Sequence, residues 1–597
     1  MTTQRLLTWL LTLLVLLFGV SGALGVMPAY DRSLSSGALI AVLVSVVVYL
    51  LAGSLPRTWP GVRTASGVIL VAATLAALYF ITQFGHHNYP EIQGFVRRLG
   101  RITTLPIQLG DLSLHPNAVA TFLETAVPLG IALAVSSRDV RPKRFWIGCL
   151  AIIFYALFLT LSYRGWIALL ATALVVAVLY AVLNMPRAFA LLTIGFVLLG
   201  TALAVLLVVK RGMGQMPPGL AQDLYGLGRQ FQNTFYLATD YPFTGIGLGD
   251  TYGMVYSRYS LLIFVPFLTY SNNLFLSVWL NQGLLGLAAF LGIAATFYGL
   301  VVHVLRTTTK LRRVFHGAWL GVTVTLIHGL LDARQYADSY WVMPMFFAVL
   351  GLTVAAARIA VTDTEDYSLR NRVAWRRWLA LGAAGVGIAA GAFVIFNRPI
   401  MAAWYTNLGA VDETRGELAD NLTDDQRDAY FDSAEVYYRQ ALELDPNYPN
   451  ANRRLGNLFV KRDQFEEAVP LLETAFAGES ANQAAIKGLG LAYVWVGRTD
   501  DAARILSLHR EANAIISELD TWGFFRKDTQ GRPLLAARAW ETAQLMSPDS
   551  TDVNVWLLIA DTYRSADDMD SARRWYNRVL EVEPDNQLAH EALAQMG

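Results

Sequence analysis

Cysteine is almost absent. The single Cys149 lies in an apolar run, which excludes a disulfide within the chain and a metal site built on cysteines. Charge is also scarce over most of the length: residues 1–397 carry 13 Asp and Glu against 27 Lys and Arg, about 10% charged. Soluble domains run at roughly 25%, so a soluble reading of that part fails. Residues 398–597 differ, with 33 acidic against 20 basic residues and about 26% charged. The net charge of +1 over 597 residues is the cancellation of a basic apolar part and an acidic polar one. Two differently solvated domains therefore meet near residue 397. No basic tract points to nucleic acid.

What fills the first part is hydrophobic. Crossing about 30 Å of hydrocarbon takes roughly 20 apolar residues, and eleven such runs are present, near 6–26, 36–55, 66–84, 117–136, 145–162, 165–183, 188–209, 273–303, 314–333, 341–360 and 378–397. Starting the first run in the cytoplasm puts 17 of the 27 basic residues into short inner loops, which is the bias that the positive-inside rule requires. The N-terminus is then cytoplasmic and residues 398–597 extracytoplasmic. The outer face carries the long loops at about 85–116 and about 210–272, and connections of that length are usually functional.

Beyond a linker at 398–429, residues 430–597 repeat. Ala434, Ala468, Ala502 and Ala536 are 34 residues apart, and Ala572 follows after a two-residue slip. Gly456 and Gly490 keep the register before their alanines, and Pro446, Pro548 and Pro584 keep it after. A 34-residue period of this kind predicts tetratricopeptide repeats, an α-solenoid of stacked helix pairs with a surface for peptides or partner proteins. The expected architecture is thus all-α: a polytopic membrane bundle over 1–397, then the solenoid.

Candidate chemistry lies on the expected outer face. His115, Pro116 and Asn117 lead into the fourth run, where Asn117 is suited to capping the helix and His115 to either capping or binding. Arg97, Arg98 and Arg101 precede them. Ser162-Tyr163-Arg164-Gly165 separates two apolar runs with almost no loop, which sets a cation at the membrane boundary. Such a cation is costly unless paired, and guanidinium grips phosphate oxygens in pairs. In the second long loop Arg229 precedes Asp240-Tyr241-Pro242 and the alternating Gly245, Gly247 and Gly249, with Arg258 and Asn272 beyond. Alternating glycines let backbone approach a ligand closely. His328 and Asp332 are four apart, on one helix face, and suit either an oriented general base or a buried structural pair. Glu124, deep in the fourth run, reads as a partner for a polar neighbour.

The order of these motifs resembles the O-antigen ligase and polymerase superfamily over roughly residues 65–355. His115-Pro116-Asn117, the Ser-x-Arg-Gly turn at Arg164, Arg229 followed by Asp240-x-Pro and Gly245-x-Gly-x-Gly, and the helix bearing Gly283 and Gly286 carry the likeness. The resemblance implies a metal-independent, cofactor-free glycosyltransferase in the bacterial cytoplasmic membrane. It would act at the outer face on an undecaprenyl-diphosphate-linked glycan, with a lipid, glycan or protein acceptor. Arg164 and Arg229 would bind the diphosphate, with Arg258 added by proximity. Where ligases of the family place a His, eleven residues before Gly283, this chain has Asn272. The base would then be His328 or His115, or the reaction would rest on diphosphate stabilisation alone. The alternative is a non-catalytic scaffold in which the spans anchor the repeats for polysaccharide assembly.

Overall fold

The computed structural model describes residues 3–83, 114–186, 218–263, 268–308, 312–336, 340–362 and 395–596, with a few positions near 190. The apolar run at 188–209, nearly all of that at 378–397, the arginines at 97, 98 and 101 and most of the first long loop lie outside them. Every regular element among the described residues is helical. Two compact units divide the chain: residues 1–253 with 267–392, and residues 254–266 with 393–597.

The first unit contains α1 (Thr3–Leu24), α2 (Ser36–Ser54), α3 (Trp59–Gln83), α4 (Pro116–Ser136), α5 (Val140–Thr160), α6 (Tyr163–Asn184) and α7 (Pro218–Asp240). It continues, after α8 (Tyr252–Tyr259), with α9 (Leu274–Thr307), α10 (Arg313–His328) and α11 (Met343–Thr362). Seven helices among the described residues are long and apolar enough to cross a membrane. Their polarity is inverted relative to a soluble bundle. Trp9, Leu13, Ile40, Val68 and Leu170 are each more than 60% exposed, while Gln4, Ser45, Glu124 and His328 are buried. Apolar side chains outside and polar ones inside are what a hydrocarbon solvent selects.

Helices α4 and α10 form the unit's central seam. Gly317 and Gly321 of α10 lie one turn apart against α4, where a Cβ would stand 2.7 Å from Pro128 O and 2.5 Å from Thr125 O. Small residues at this spacing bring backbones together where no hydrophobic effect drives association. Above them Thr125 and Thr325 share a hydroxyl hydrogen bond of 2.6 Å. The seam thus rises from backbone contact into a line of buried polar groups.

The second unit is built of helix pairs. α12 (Asn397–Leu418) and α13 (Asp424–Leu444) are followed by α14 (Pro449–Lys461), α15 (Phe465–Gly478), α16 (Gln483–Val496), α17 (Thr499–Leu506), α18 (Ala512–Phe524), α19 (Pro533–Leu545), α20 (Val553–Ser565), α21 (Met569–Val582) and α22 (Gln587–Gln595). The five periodic alanines are fully buried. Gly456 packs on Leu472 of the next helix and Gly490 on Leu506, with no room for a Cβ. The stretch read as a linker is helical: α12 occupies most of it and packs along α13, with Gly409 against the Tyr438 ring. An amphipathic helix with an apolar partner has no reason to stay extended, and the partner here lies just across the turn that follows it.

Candidate functional site

α6 begins where the preceding helix ends, at Leu161 in left-handed conformation (φ 51). The Ser162 hydroxyl accepts from Gly165 N at 3.4 Å and caps the new helix. This turn delivers Arg164, whose side chain is 12% exposed, to the first unit's polar centre. Its Nη1 lies 2.7 Å from Asp332 Oδ2 and donates to Asn272 Oδ1 at 3.2 Å, while Nε donates to Tyr163 OH at 3.4 Å. Asp332, fully buried, accepts from Arg334 N through its other oxygen at 2.7 Å. Asn272 donates through Nδ2 to Gln230 Oε1 at 2.6 Å. Gln230 in turn donates to Tyr270 O at 2.7 Å and to Tyr252 OH at 3.4 Å. The Arg334 guanidinium lies 4.6 Å from the centre of the Tyr270 ring.

His328 and Asp332 do not orient one another through their side chains. His328 Nδ1 is 2.7 Å from Glu124 Oε1, and its Nε2 is 3.3 Å from Thr121 Oγ1. All three side chains are fully buried. Glu124 is the carboxylate that fixes the imidazole, and Asp332 serves Arg164 instead. Gly165 is required by this arrangement: a Cβ there would lie 2.7 Å from Glu124 Oε2. The Ser-x-Arg-Gly turn therefore places the arginine with one residue and leaves space for the buried acid with the next.

Asn272 sits in left-handed conformation (φ 55), which asparagine tolerates better than most side chains. Asn273 then caps α9 through Phe275 N and Leu276 N, and donates to Leu330 O at 3.1 Å. The start of α9 is thereby tied to the end of α10, which carries His328.

Other expected residues play different parts. His115, rather than Asn117, caps α4: its Nδ1 accepts from Asn117 N at 3.2 Å. The capping position lies one residue before the Pro that starts the helix, and Asn117 is already inside it. Arg229 is half-buried on α7 beside Gln230, and it is Gln230 that joins the Arg164 network. Arg258 belongs to the second unit, where it lines a cavity with Lys461 and Arg526.

The three alternating glycines meet protein backbone and not an open cleft. Gly245 (φ +70) faces Leu280 O, Gly249 faces Leu34 O, and a Cβ on Gly247 would lie 2.6 Å from Ala29 Cα. Ile246 N donates to Leu280 O at 2.7 Å and Leu248 N to Gly25 O at 2.8 Å. Gly283, the non-helical residue at which α9 kinks (φ 64), abuts Phe243 O and completes the contact. The loop is threaded between the α1–α2 connection and the kink of α9, and its glycines serve that threading.

Among the described residues, no three His, Cys, Asp or Glu side chains gather as a metal site requires. Sequence reasoning missed Gln230, Tyr270 and Thr121, whose roles depend on partners far along the chain. A separate apolar cavity of about 400 Å³ lies between α4, α6 and α10, lined by Val127, Ile131, Leu169, Val176 and Leu320 and bordered by His316 and Arg313.

Residues 431–475, 459–514 and 553–596 match the tetratricopeptide repeat family. The C-terminal region therefore consists of tetratricopeptide repeats. Two solved structures are similar to part of the chain. MamA protein is 20% identical and YrrB, a TPR protein with an unusual peptide-binding site, is 19% identical; each match covers 31% of this chain and, respectively, 92% and 91% of the other, with a TM-score of 0.18. No curated protein sequence matches the chain.

Proposed function

We propose that the protein is a membrane glycosyltransferase that transfers or polymerises a glycan from an undecaprenyl-diphosphate carrier at the outer face of the bacterial cytoplasmic membrane. The observation that supports this reading most is the Arg164 centre: a guanidinium at the head of an apolar helix, fixed by the carboxylate of Asp332 and the amide of Asn272. A diphosphate leaving group needs preorganised positive charge in a medium of low dielectric. Nη1 and Nε of Arg164 are engaged by protein groups, which leaves the Nη2 edge for a phosphate oxygen. Arg229, included from the order of the sequence motifs and not from a contact with Arg164, is the second cation of this proposal. The apolar cavity between α4, α6 and α10 suits a section of the prenyl chain.

In this reading the acceptor hydroxyl attacks the anomeric carbon, the bond from that carbon to the diphosphate oxygen breaks, and the proton ends on the departing diphosphate. His328 is enclosed by Glu124 and Thr121 and acts as a positioning residue. It holds the end of α10, and with it Asp332, against α4. The repeats bind an acceptor or a partner protein, as tetratricopeptide domains do.

A scaffold without catalysis is the second reading, and the enclosure of His328 together with Asn272 at the position of a possible base favours it. Purified protein in lipid, given an undecaprenyl-diphosphate-linked glycan and an acceptor, separates the two. Turnover by wild type and its loss in Arg164→Ala is the expected result. No turnover with any acceptor lipid or glycan leaves the scaffold.

A further inference from the structure

Residues 254–266 are interposed in the sequence of the first unit yet belong to the second. Their described part sits against α14 and α16, the first helices of two successive repeats. Tyr259 is 3% exposed and its hydroxyl donates to Asn482 Oδ1 at 2.9 Å. The Arg453 guanidinium lies 4.7 Å from the centre of the Tyr259 ring. Leu261 packs on the repeats' hydrophobic core, which includes Leu491 and Trp495.

The backbone at Leu261 makes this contact more than incidental. α8 ends with Leu262 N donating to Ser257 O at 2.9 Å and Leu261 N donating to Arg258 O at 3.2 Å. That is the Schellman pattern, whose left-handed position is ordinarily glycine. Here it is Leu261, with φ 50. A leucine in that conformation is explained by what its side chain gains, which is contact with the repeats' core, where it is half-buried. Asn482 likewise does two tasks, since the oxygen that receives the tyrosine hydroxyl also caps α16 through Ala484 N at 3.0 Å. A cavity of about 350 Å³ continues beside the segment, with Ser257, Leu261 and Leu262 on one wall and Leu491, Trp495 and Trp522 on the other.

We propose that residues 257–263 are a built-in ligand of the repeat groove, anchored by Tyr259 and Leu261, and that a partner peptide of this domain competes for the same two anchor sites. Such a partner carries a tyrosine followed two residues later by an aliphatic side chain, presented on a turn. The flanking residues Tyr252 and Tyr270 both bond to Gln230 of the Arg164 network. Occupancy of the groove is independent of glycan transfer.

The test uses the full-length protein in lipid nanodiscs and a fluorescein-labelled peptide with the sequence of residues 254–263. A tethered segment competes at an effective concentration on the order of 1 mM, so wild type should bind the free peptide weakly. Tyr259→Ala combined with Leu261→Gly vacates the groove, and should bind it at least tenfold more tightly. Hydrogen exchange in residues 450–496 should rise in that variant and fall again when peptide is added. A peptide with alanine at both anchor positions should not bind. Equal affinity for wild type and variant, or no binding to the variant up to about 1 mM, overturns the proposal. Should the double variant fail to fold, Tyr259→Phe alone, which keeps the ring and loses the bond to Asn482, should still bind peptide severalfold more tightly than wild type. Unchanged binding in Tyr259→Phe together with unchanged exchange in residues 450–496 counts against it equally.

Discussion

Arg164 and Asp332 stand 2.7 Å apart, with the carboxylate fully buried and the guanidinium nearly so. Removing one partner strands the other. Asp332→Ala should destabilise the first unit by about 3–5 kcal/mol, the usual cost of an uncompensated buried charge. Arg164→Ala should do the same, and the two together should cost less than the sum of the singles, because the stranded charge is then gone. Denaturant unfolding in detergent micelles measures all three. Additive losses would show that the two residues do not depend on each other. Arg164→Lys keeps the charge and loses the planar fork, so it should retain most of the stability while abolishing the proposed glycan transfer.

Gly165→Ala should displace Glu124, since the new Cβ would meet Oε2 at 2.7 Å. Burial of the acid leaves little freedom to yield, and overpacking of this kind costs about 1–3 kcal/mol. The expected outcome is a lower melting temperature that Glu124→Ala partly restores when combined with it. A melting temperature equal to wild type would mean that the carboxylate moves aside freely.

The periodic alanines announced the repeats because all five are fully buried at the recurring position where only a small side chain fits. Gly409 and Gly523 fill comparable contacts, against Tyr438 and Trp540, yet fall outside that register and gave no signal. In the first unit the Arg164 turn was legible, since a cation between two apolar runs must be paired. Its partners were not. Asn272 and Gln230 are 42 residues apart, Thr121 and His328 are 207 apart, and no local spacing encodes either contact. The glycine triplet is ambiguous for a physical reason: glycine reports that something approaches the backbone, without reporting whether it is a ligand or another segment of the protein.

That distinction is testable at Gly245 and Gly283. Both have positive φ and both face a backbone carbonyl from another segment, Leu280 O and Phe243 O respectively. Alanine at either should cost more than about 3 kcal/mol, as strain and steric conflict add, and should appear as lost protein in the membrane fraction. A substrate-contacting glycine would behave otherwise, with normal protein level and weakened substrate binding. Normal levels of both alanine variants would reopen the ligand role for this loop.

The second unit should lose stability in acid through Glu413. Burial raises the pKa of this carboxyl, but Lys461 at 2.7 Å, Arg454 at 3.2 Å and the Tyr438 hydroxyl at 2.6 Å outweigh that and hold it at about 2, below the ordinary 4.5. Because the folded value is depressed, the contribution is complete above the unfolded value and is lost as pH falls from 4.5 towards 2, where the unfolded chain takes up the proton first. The shift corresponds to about 3 kcal/mol. Glu413→Gln should be less stable than wild type at neutral pH and should show a shallower loss between about pH 5 and about pH 2.5. Hydrogen exchange over α12, α13 and α14, followed across that range, reports this unit separately from the apolar helices of the first. Equal slopes in wild type and Glu413→Gln would place the acid sensitivity on other carboxylates.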